Sequence, residues 1–291
     1  MWARPSPERR RYSSRIRDTC SSGRSRTGST RCWRIFWTLD GMSFREVTSG
    51  KNLARYVDAY WFHRETSGGR AFSVLPDGCM DLIFDRSEGR ALVCGTMTRS
   101  REVRRAPGGA LFGIRFLPGV LPPLLGESTD RFRDGTADLG AVSIRLADRF
   151  APLHDLSSVE EMSAFCDSAL EEVLRRVPVD DRILLRLSVP SCSVTRLSSE
   201  AGLSVRQLER LFARYVGVPP KLFLKILRFR CLREELERSD EPLARLSQKL
   251  GYADQSHMIR EYRQLHPKGE RMSHLYKTPG VRSATLSDIP L

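Results

Sequence analysis

The stretch Gly251-Tyr-Ala-Asp-Gln-Ser-His-Met-Ile-Arg-Glu-Tyr262 repeats, in the function of each position, the earlier stretch Gly202-Leu-Ser-Val-Arg-Gln-Leu-Glu-Arg-Leu-Phe212. In the earlier copy, Val194, Leu197 and Ala201 lie on one face of a short helix that stops at Gly202, a residue suited to the left-handed backbone of a helix end. Ser204 is placed to cap the next helix, where Leu208, Leu211, Phe212 and Tyr215 recur at helical spacing and Arg206, Gln207, Glu209 and Arg214 fall on other faces. In the later copy Leu243, Leu246 and Leu250 precede Gly251, Asp254 is the cap, and Met258, Ile259, Tyr262 and Leu265 form the apolar stripe. With the caps aligned, Leu208 matches Met258, Arg210 matches Arg260 and Phe212 matches Tyr262, while the glycines fall one residue out of step. The pattern predicts two helix-turn-helix units, the second with a turn one residue longer.

Between the units, Pro219 and Pro220 start a helix expected to run to about Ser239. It places Phe223, Ile226, Leu227 and Cys231 on one face and Leu224, Leu232 and Leu236 on another, as suits a helix packed between two subdomains. Its twenty or so residues would span roughly 30 Å. That is close to the roughly 34 Å between successive major-groove faces on one side of B-DNA.

The segments LSVRQLERLFARYVGVPPK, LRFRCLREEL and GYADQSHMIREYRQ resemble the DNA-binding domain of the AraC/XylS family of bacterial transcription regulators, over residues of about 184 to 280. The resemblance implies two recognition helices, Ser204 to Val216 and Asp254 to Leu265, reading bases in consecutive major-groove segments. It implies that Arg206, Gln207, Glu209 and Arg210 face DNA in the first, and Gln255, Ser256, His257 and Arg260 in the second. The chemistry of these side chains is suitable: Arg bonds guanine in bidentate fashion, Gln adenine, and Glu accepts from cytosine. Other roles stay open: Arg210 and Arg260 as partners of neighbouring carboxylates, Glu209 as a solvated charge, His257 as a phosphate donor. The chain departs from the family near its end, where His266-Pro-Lys-Gly-Glu-Arg-Met-Ser-His274 stands in place of the usual Gly-x-Thr-Pro element.

The formal net charge of +13 over 291 residues fits a polyanionic partner, but the charge is uneven. Residues 1–41 hold ten arginines and no lysine against Glu8, Asp18 and Asp40, more than half of the excess. Their serine, arginine and glycine bias reads as a disordered basic extension. It is either an arm that adds phosphate contacts or upstream sequence ahead of a true start at Met42, and the second is the expectation. Its apolar run around Trp33 to Leu39 is too short to span a membrane.

Ala71–Leu75, Cys79–Phe84, Ala91–Cys94 and Ala110–Phe116 read as short strands separated by the turn sequences Pro76-Asp77-Gly78, Glu88-Gly89 and Pro107-Gly-Gly109. Tyr60-Trp61, VLPDGCMDLIF and GIRFLPGV resemble the N-terminal sensor-like domain of one AraC-type subgroup, the one carrying a Pro-Asp-Gly motif. After Leu139 the pattern turns helical, with Val142–Phe150 and Val159–Val177 expected to connect the two domains.

The expected fold is therefore α+β: a β-rich small sheet or partial barrel over 42–139 acting as a sensing or dimerisation domain, a helical linker over 140–180, and an all-α domain over 181–291 with two helix-turn-helix units joined by a long helix. Enzymatic function is not expected. His63 stands alone beside Asp77, Asp81 and Asp85, and a divalent ion needs three or four converging ligands, so no metal is expected. No Gly-x-Ser-x-Gly elbow occurs. Seven scattered cysteines without a Cys-x-x-Cys pair argue against a disulfide framework or zinc finger and for a reducing cytoplasm. Cys79 and Cys94 read as small buried apolar residues. No cofactor and no membrane are implied. The expected partner is double-stranded DNA, with RNA polymerase, a small-molecule effector and a second copy of the chain as further candidates. The leading expectation is a sequence-specific transcription regulator with an asymmetric promoter site, because the two second helices differ in chemistry. The competing readings are a DNA-repair enzyme that joins the same reader to alkyl transfer, and an architectural protein that binds all duplexes alike.

Overall fold

A computed structural model describes residues 42–65, 71–104, 106–177, 179, 193–238 and 241–266. These belong to one unit. The expectations for the basic extension, for much of 178–192 and for the path after His266 fall outside the described residues. The architecture is α+β, with a β-sheet part followed by a helical part.

The strands are β1 (Met42–Val47), β2 (Val57–Glu65), β3 (Ala71–Val74), β4 (Met80–Asp85), β5 (Arg90–Cys94), β6 (Arg101–Arg104), β7 (Ala110–Phe116) and β8 (Thr136–Asp138). Six of them form an antiparallel sheet in the order β1-β2-β7-β4-β5-β8, and β3 and β6 pair as a separate ribbon. The four strands expected from sequence are present, but β1, β2, β6 and β8 were not anticipated. In β2, neighbouring residues Tyr60 and Trp61 point to opposite faces and both are buried, so the apolar–polar alternation that betrays a half-exposed strand is absent. In β6 three of the four side chains are charged and exposed, and its pairing with β3 is a tertiary matter.

The turns follow their residues. The Asp77 carboxylate accepts from the Cys79 N–H at 2.9 Å, and Gly78 takes φ +82°, the left-handed region where a side chain is strained. Between β4 and β5, Asp85 accepts from the N–H groups of Ser87 and Glu88 at 3.0 and 3.2 Å.

One face of the sheet presents Tyr60, Leu82, Phe84, Val93, Phe112, Ile114 and Phe116 to a single apolar core. Helices α1 (Leu121–Leu125), α2 (Leu139–Val142), α3 (Ile144–Phe150) and α4 (Val159–Arg176) complete that core through Leu121, Leu139, Leu146, Phe150, Met162 and Leu170, among others. Tyr60 reaches through to donate its hydroxyl to Asp167 of α4 at 2.7 Å. The segment expected to act as a connection between domains is therefore packed on the sheet. An amphipathic pattern tells which face of a helix is buried, not what buries it.

The other face of the sheet mixes apolar residues, with Trp61 and Leu111 buried, and a charged cluster. The register sets Asp81 beside Arg115, and the wholly buried Arg115 guanidinium meets Glu46 at 3.1 Å, Asp58 at 3.2 Å and Asp77 at 3.6 Å. Burial pushes the Asp58 carboxyl up to about 6 although Arg115 pulls it down. Burial raises Asp81 as well, with Arg115 opposing and Asp77 adding to the rise. Burial works against the charge on Arg115, yet Glu46, Asp81, Asp58 and Asp77 together hold it above the ordinary arginine range. The Asp77 and Asp85 carboxylates are taken up by their turns, and among the described residues no three His, Cys, Asp or Glu side chains gather as metal ligands would.

Cys79 is buried as expected, but Cys94 is only partly buried. Burial pushes the Cys94 thiol up to about 12 and raises Cys79 well above the usual thiol range, the reverse of what a reactive thiolate needs.

The buried carboxyls make stability depend on pH in a definite direction. Their proton affinity is higher in the folded chain than in the unfolded one, so above about pH 4 the native state holds the extra protons. That contribution is complete below the unfolded value and is lost as pH rises through about 6 and beyond. A tenfold change in proton affinity corresponds to about 1.4 kcal/mol. The thermal midpoint is therefore expected to be higher at about pH 5 than at about pH 8, and Asp81→Asn should raise the value at the higher pH and flatten the profile. Equal slopes for the two proteins in a melting series across that range would contradict this.

Candidate nucleic-acid interface

The helical part comprises α5 (Val194–Glu200), α6 (Val205–Tyr215), α7 (Pro220–Arg238), α8 (Leu243–Lys249) and α9 (Gln255–Leu265). The pairs α5–α6 and α8–α9 are the two expected units, and α7 is the expected long helix. Both glycines are left-handed, with φ +64° at Gly202 and +75° at Gly251. The next residue in each turn donates its N–H back to a serine carbonyl at 2.9 Å, Leu203 to Ser198 and Tyr252 to Ser247. Those serines are buried and turn their own hydroxyls to the carbonyls of Thr195 and Ala244, at 2.8 and 2.7 Å. Sequence reading missed this pair. Its signal was there, since each serine stands four residues before its glycine.

Ser204 caps α6 by accepting from the Gln207 N–H at 3.3 Å, and Asp254 caps α9 by accepting from the His257 N–H at 2.6 Å. Leu208, Phe212 and Val216 of the first unit are buried with Leu197, Phe223, Leu224 and Leu227. The Phe212 and Phe223 rings meet edge-on at 5.5 Å. The second unit repeats this contact with Tyr262 against Phe229 at 5.2 Å, and Met258 and Leu265 are buried beside it. The two faces of α7 are thus not divided as its spacing suggested. Leu224 joins Phe223 and Leu227 under the first unit, and Phe229, unassigned from sequence, receives the second.

Polar contacts also fix α9 on α7. The Arg228 guanidinium donates to both carboxylate oxygens of Glu261 at 3.1 and 3.2 Å, and the Lys225 ammonium donates to Gln264. The pair Arg228–Glu261 is largely shielded from solvent, so loss of either partner would leave a charge uncompensated there.

Seven of the eight anticipated site residues, Arg206, Gln207, Glu209, Arg210, Gln255, Ser256 and Arg260, are exposed on the two second helices, and His257 is half-buried. Arg206, Arg210 and Arg260 pair with no carboxylate among the described residues. The alternative in which the matched arginines are spent on neighbours therefore finds no partner there. Gln207 and His257 also bond within the protein. Gln207 closes a capping box, its side-chain oxygen accepting from the Ser204 N–H at 2.8 Å. His257 accepts from the Ala253 N–H through Nδ1 at 3.4 Å, faces Glu261 with Nε2 at 3.3 Å, and lies edge-on to Tyr252. Both stand third in their helices, where a side chain can bond back toward the cap.

This geometry, two capped second helices with exposed polar and basic outer faces, each stacked by one aromatic ring on a shared helix, is a pair of helix-turn-helix units. Residues 197–267 match the family described as a helix-turn-helix domain. The chain carries an AraC-type helix-turn-helix domain at its C-terminus. A domain of this kind supports a DNA-binding transcription regulator. Residues 45–138 match a domain of unknown function, DUF6597, which spans most of the sheet. No curated protein matches the chain.

Similar solved structures include ToxT from Vibrio cholerae O395, at 9% identity, covering 82% of this chain and 98% of that one with a TM-score of 0.33. The unsaturated-fatty-acid-bound wild-type ToxT of strain SCE256 shows 8% identity, 84% and 97% coverage and a TM-score of 0.34. Among the described residues, no helix is long and apolar enough to cross a membrane.

Proposed function

We propose that α6 and α9 read base edges in consecutive major-groove segments of one asymmetric promoter site. The observation that carries this reading is the unlike chemistry of the two exposed faces, Arg206, Glu209 and Arg210 against Gln255, Ser256 and Arg260, on helices fixed to a single rigid helix. Arg206, Arg210 and Arg260 suit guanine, Gln255 adenine, and Glu209 the exocyclic amine of cytosine. Gln207 and His257 set the starts of the helices and the turn before α9, so they act on binding through shape. The sheet part, with its helices over 139–176, serves as the domain that senses an effector or pairs with a second copy. The protein works in the cytoplasm, where RNA polymerase is the further partner its promoter site brings close.

Selection of bound sequences from a random duplex pool with the full chain tests this, followed by competition between the selected site and random duplex. A preference of about 10³ or more is expected. A ratio near one would instead support architectural binding.

Single substitutions assign the readers. Arg206→Ala and Gln255→Ala should each relax preference at one base position at a cost of roughly 1–3 kcal/mol. Gln207→Ala should weaken binding to all sequences alike, through a frayed helix start. Uniform weakening by Arg206→Ala would show that it contacts phosphate and not a base.

A further inference from the structure

Every α-helix leaves its last carbonyls without a partner inside the helix. At the end of α6 one of these carbonyls, and those of the two residues that follow the helix, are met by the sheet part of the chain. The Thr129 hydroxyl donates to the Ala213 carbonyl at 2.5 Å, the Thr96 hydroxyl to that of Val216 at 2.7 Å, and the Arg133 guanidinium Nε to that of Gly217 at 2.7 Å. Both threonines are buried, and Arg133 brings a positive charge to the negative end of the helix dipole.

The donors sit on two loops that are tied to each other. The Gly95 N–H donates to the Gly135 carbonyl at 3.1 Å and the Asp134 N–H to that of Thr96 at 3.2 Å. The Asp134 carboxylate in turn accepts from the N–H and hydroxyl of Thr98, at 2.7 and 2.6 Å. A side chain at Gly95 would fall 1.9 Å from the Phe132 carbonyl oxygen, so the loops are pressed together as closely as backbone allows. Asp134 holds a left-handed φ of +54° to complete the turn, a conformation tolerated by Asp. The loops leave the sheet at the ends of β5 and β8, where Cys94 pairs with Thr136. By contrast α9 takes its polar anchors, Arg228 and Lys225, from α7.

We propose that Thr96, Thr129 and Arg133 are positioning residues for the first recognition helix, so that the sheet sets the aim of α6 directly and reaches α9 only through α7. The two half-sites are then under unequal control: a change at the β5–β8 edge alters reading of the first and spares the second. This rests on the proposed reading of α6 and α9 as the two base readers.

The test uses the full chain with Thr96→Val and Thr129→Val, separately, and the matching Thr→Ser changes that keep the hydroxyl. Backbone hydrogen exchange in the free protein is compared between residues 205–217 and 255–265. Each valine change should speed exchange in the last turn of α6 roughly tenfold, with α9 unchanged and the serine forms like the parent. Equal acceleration in both helices, or none in either, would overturn the proposal.

On the duplex selected by the parent protein, each valine change should weaken binding roughly tenfold. That loss should vanish when the first half-site is scrambled and persist when the second is. A loss that follows the second half-site would also overturn it. If the parent selects no site, the two-reader function fails, and the exchange result still decides whether these residues hold α6.

Discussion

Replacing Arg115 with methionine is expected to destabilise the protein by about 3–5 kcal/mol near neutral pH, with the loss shrinking as pH falls toward about 4. Arg115 is wholly enclosed, with Glu46, Asp58 and Asp77 within 3.6 Å and Asp81 opposite it in the register. A buried ion pair adds little over a well-packed apolar substitute, because desolvation consumes most of the attraction. Removing only the cation is different, since several buried carboxylates are then left facing one another. Methionine fills much of the same volume, so the expected loss is electrostatic and not a cavity.

The pH dependence separates these causes. Asp58 and Asp81 already hold their protons more tightly than an unfolded carboxylate, and without Arg115 that affinity climbs further. Folding of the variant would then take up protons across the whole range from about pH 4 upward, so its stability falls more steeply with pH than that of the parent. Urea unfolding at about pH 5 and about pH 8 reads this directly. The same loss at both would mean that Arg115 acts by packing alone. Adding Asp58→Asn and Asp81→Asn to the arginine variant should restore most of the lost stability.

This cluster also shows where sequence reading reaches its limit. Caps, turn glycines and apolar spacing are local, so the ends of α6 and α9, the left-handed Gly202 and Gly251 and the burial of Leu208, Phe212, Met258 and Tyr262 could all be read from neighbouring residues. Asp81 and Arg115 come together only because β4 pairs with β7, and no local pattern announces that register. The same holds for α3 and α4, whose apolar faces were legible while the sheet beneath them was not. In the candidate site, the exposure of seven residues could be read from the helical period. The bonds that Gln207 and His257 make at their own helix starts could not, because a side chain that bonds its own helix start looks, in spacing alone, like one that faces DNA. The capping pattern Ser-x-x-Gln was nevertheless present at Ser204 and Gln207, and it is the stronger reading there.

Gly78→Ala is expected to cost about 2–5 kcal/mol and to loosen the first reader, though Gly78 lies in the sheet part of the chain. Two independent effects add. The left-handed φ of +82° penalises any side chain by about 1–2 kcal/mol. A methyl group there would also lie 2.6 Å from the Phe223 ring, which is fully buried, and overpacking of that kind costs about 1–3 kcal/mol. Phe223 cannot yield without disturbing Phe212, against which it stacks at 5.5 Å, or the neighbouring Cys79, which is buried in the same cluster. The turn is anchored on its other side as well, where the buried Arg230 of α7 donates to the Asp77 carbonyl at 3.0 Å. Gly89→Ala provides the control, because Gly89 has a similar φ of +62° but nothing within 4 Å of the added methyl. It should show the backbone penalty alone. If urea midpoints of the two variants coincide, the contact between Gly78 and Phe223 carries no strain. If Gly78→Ala is the more destabilised and also speeds amide exchange in α6 more than in α9, the turn is part of what holds the first reader in place.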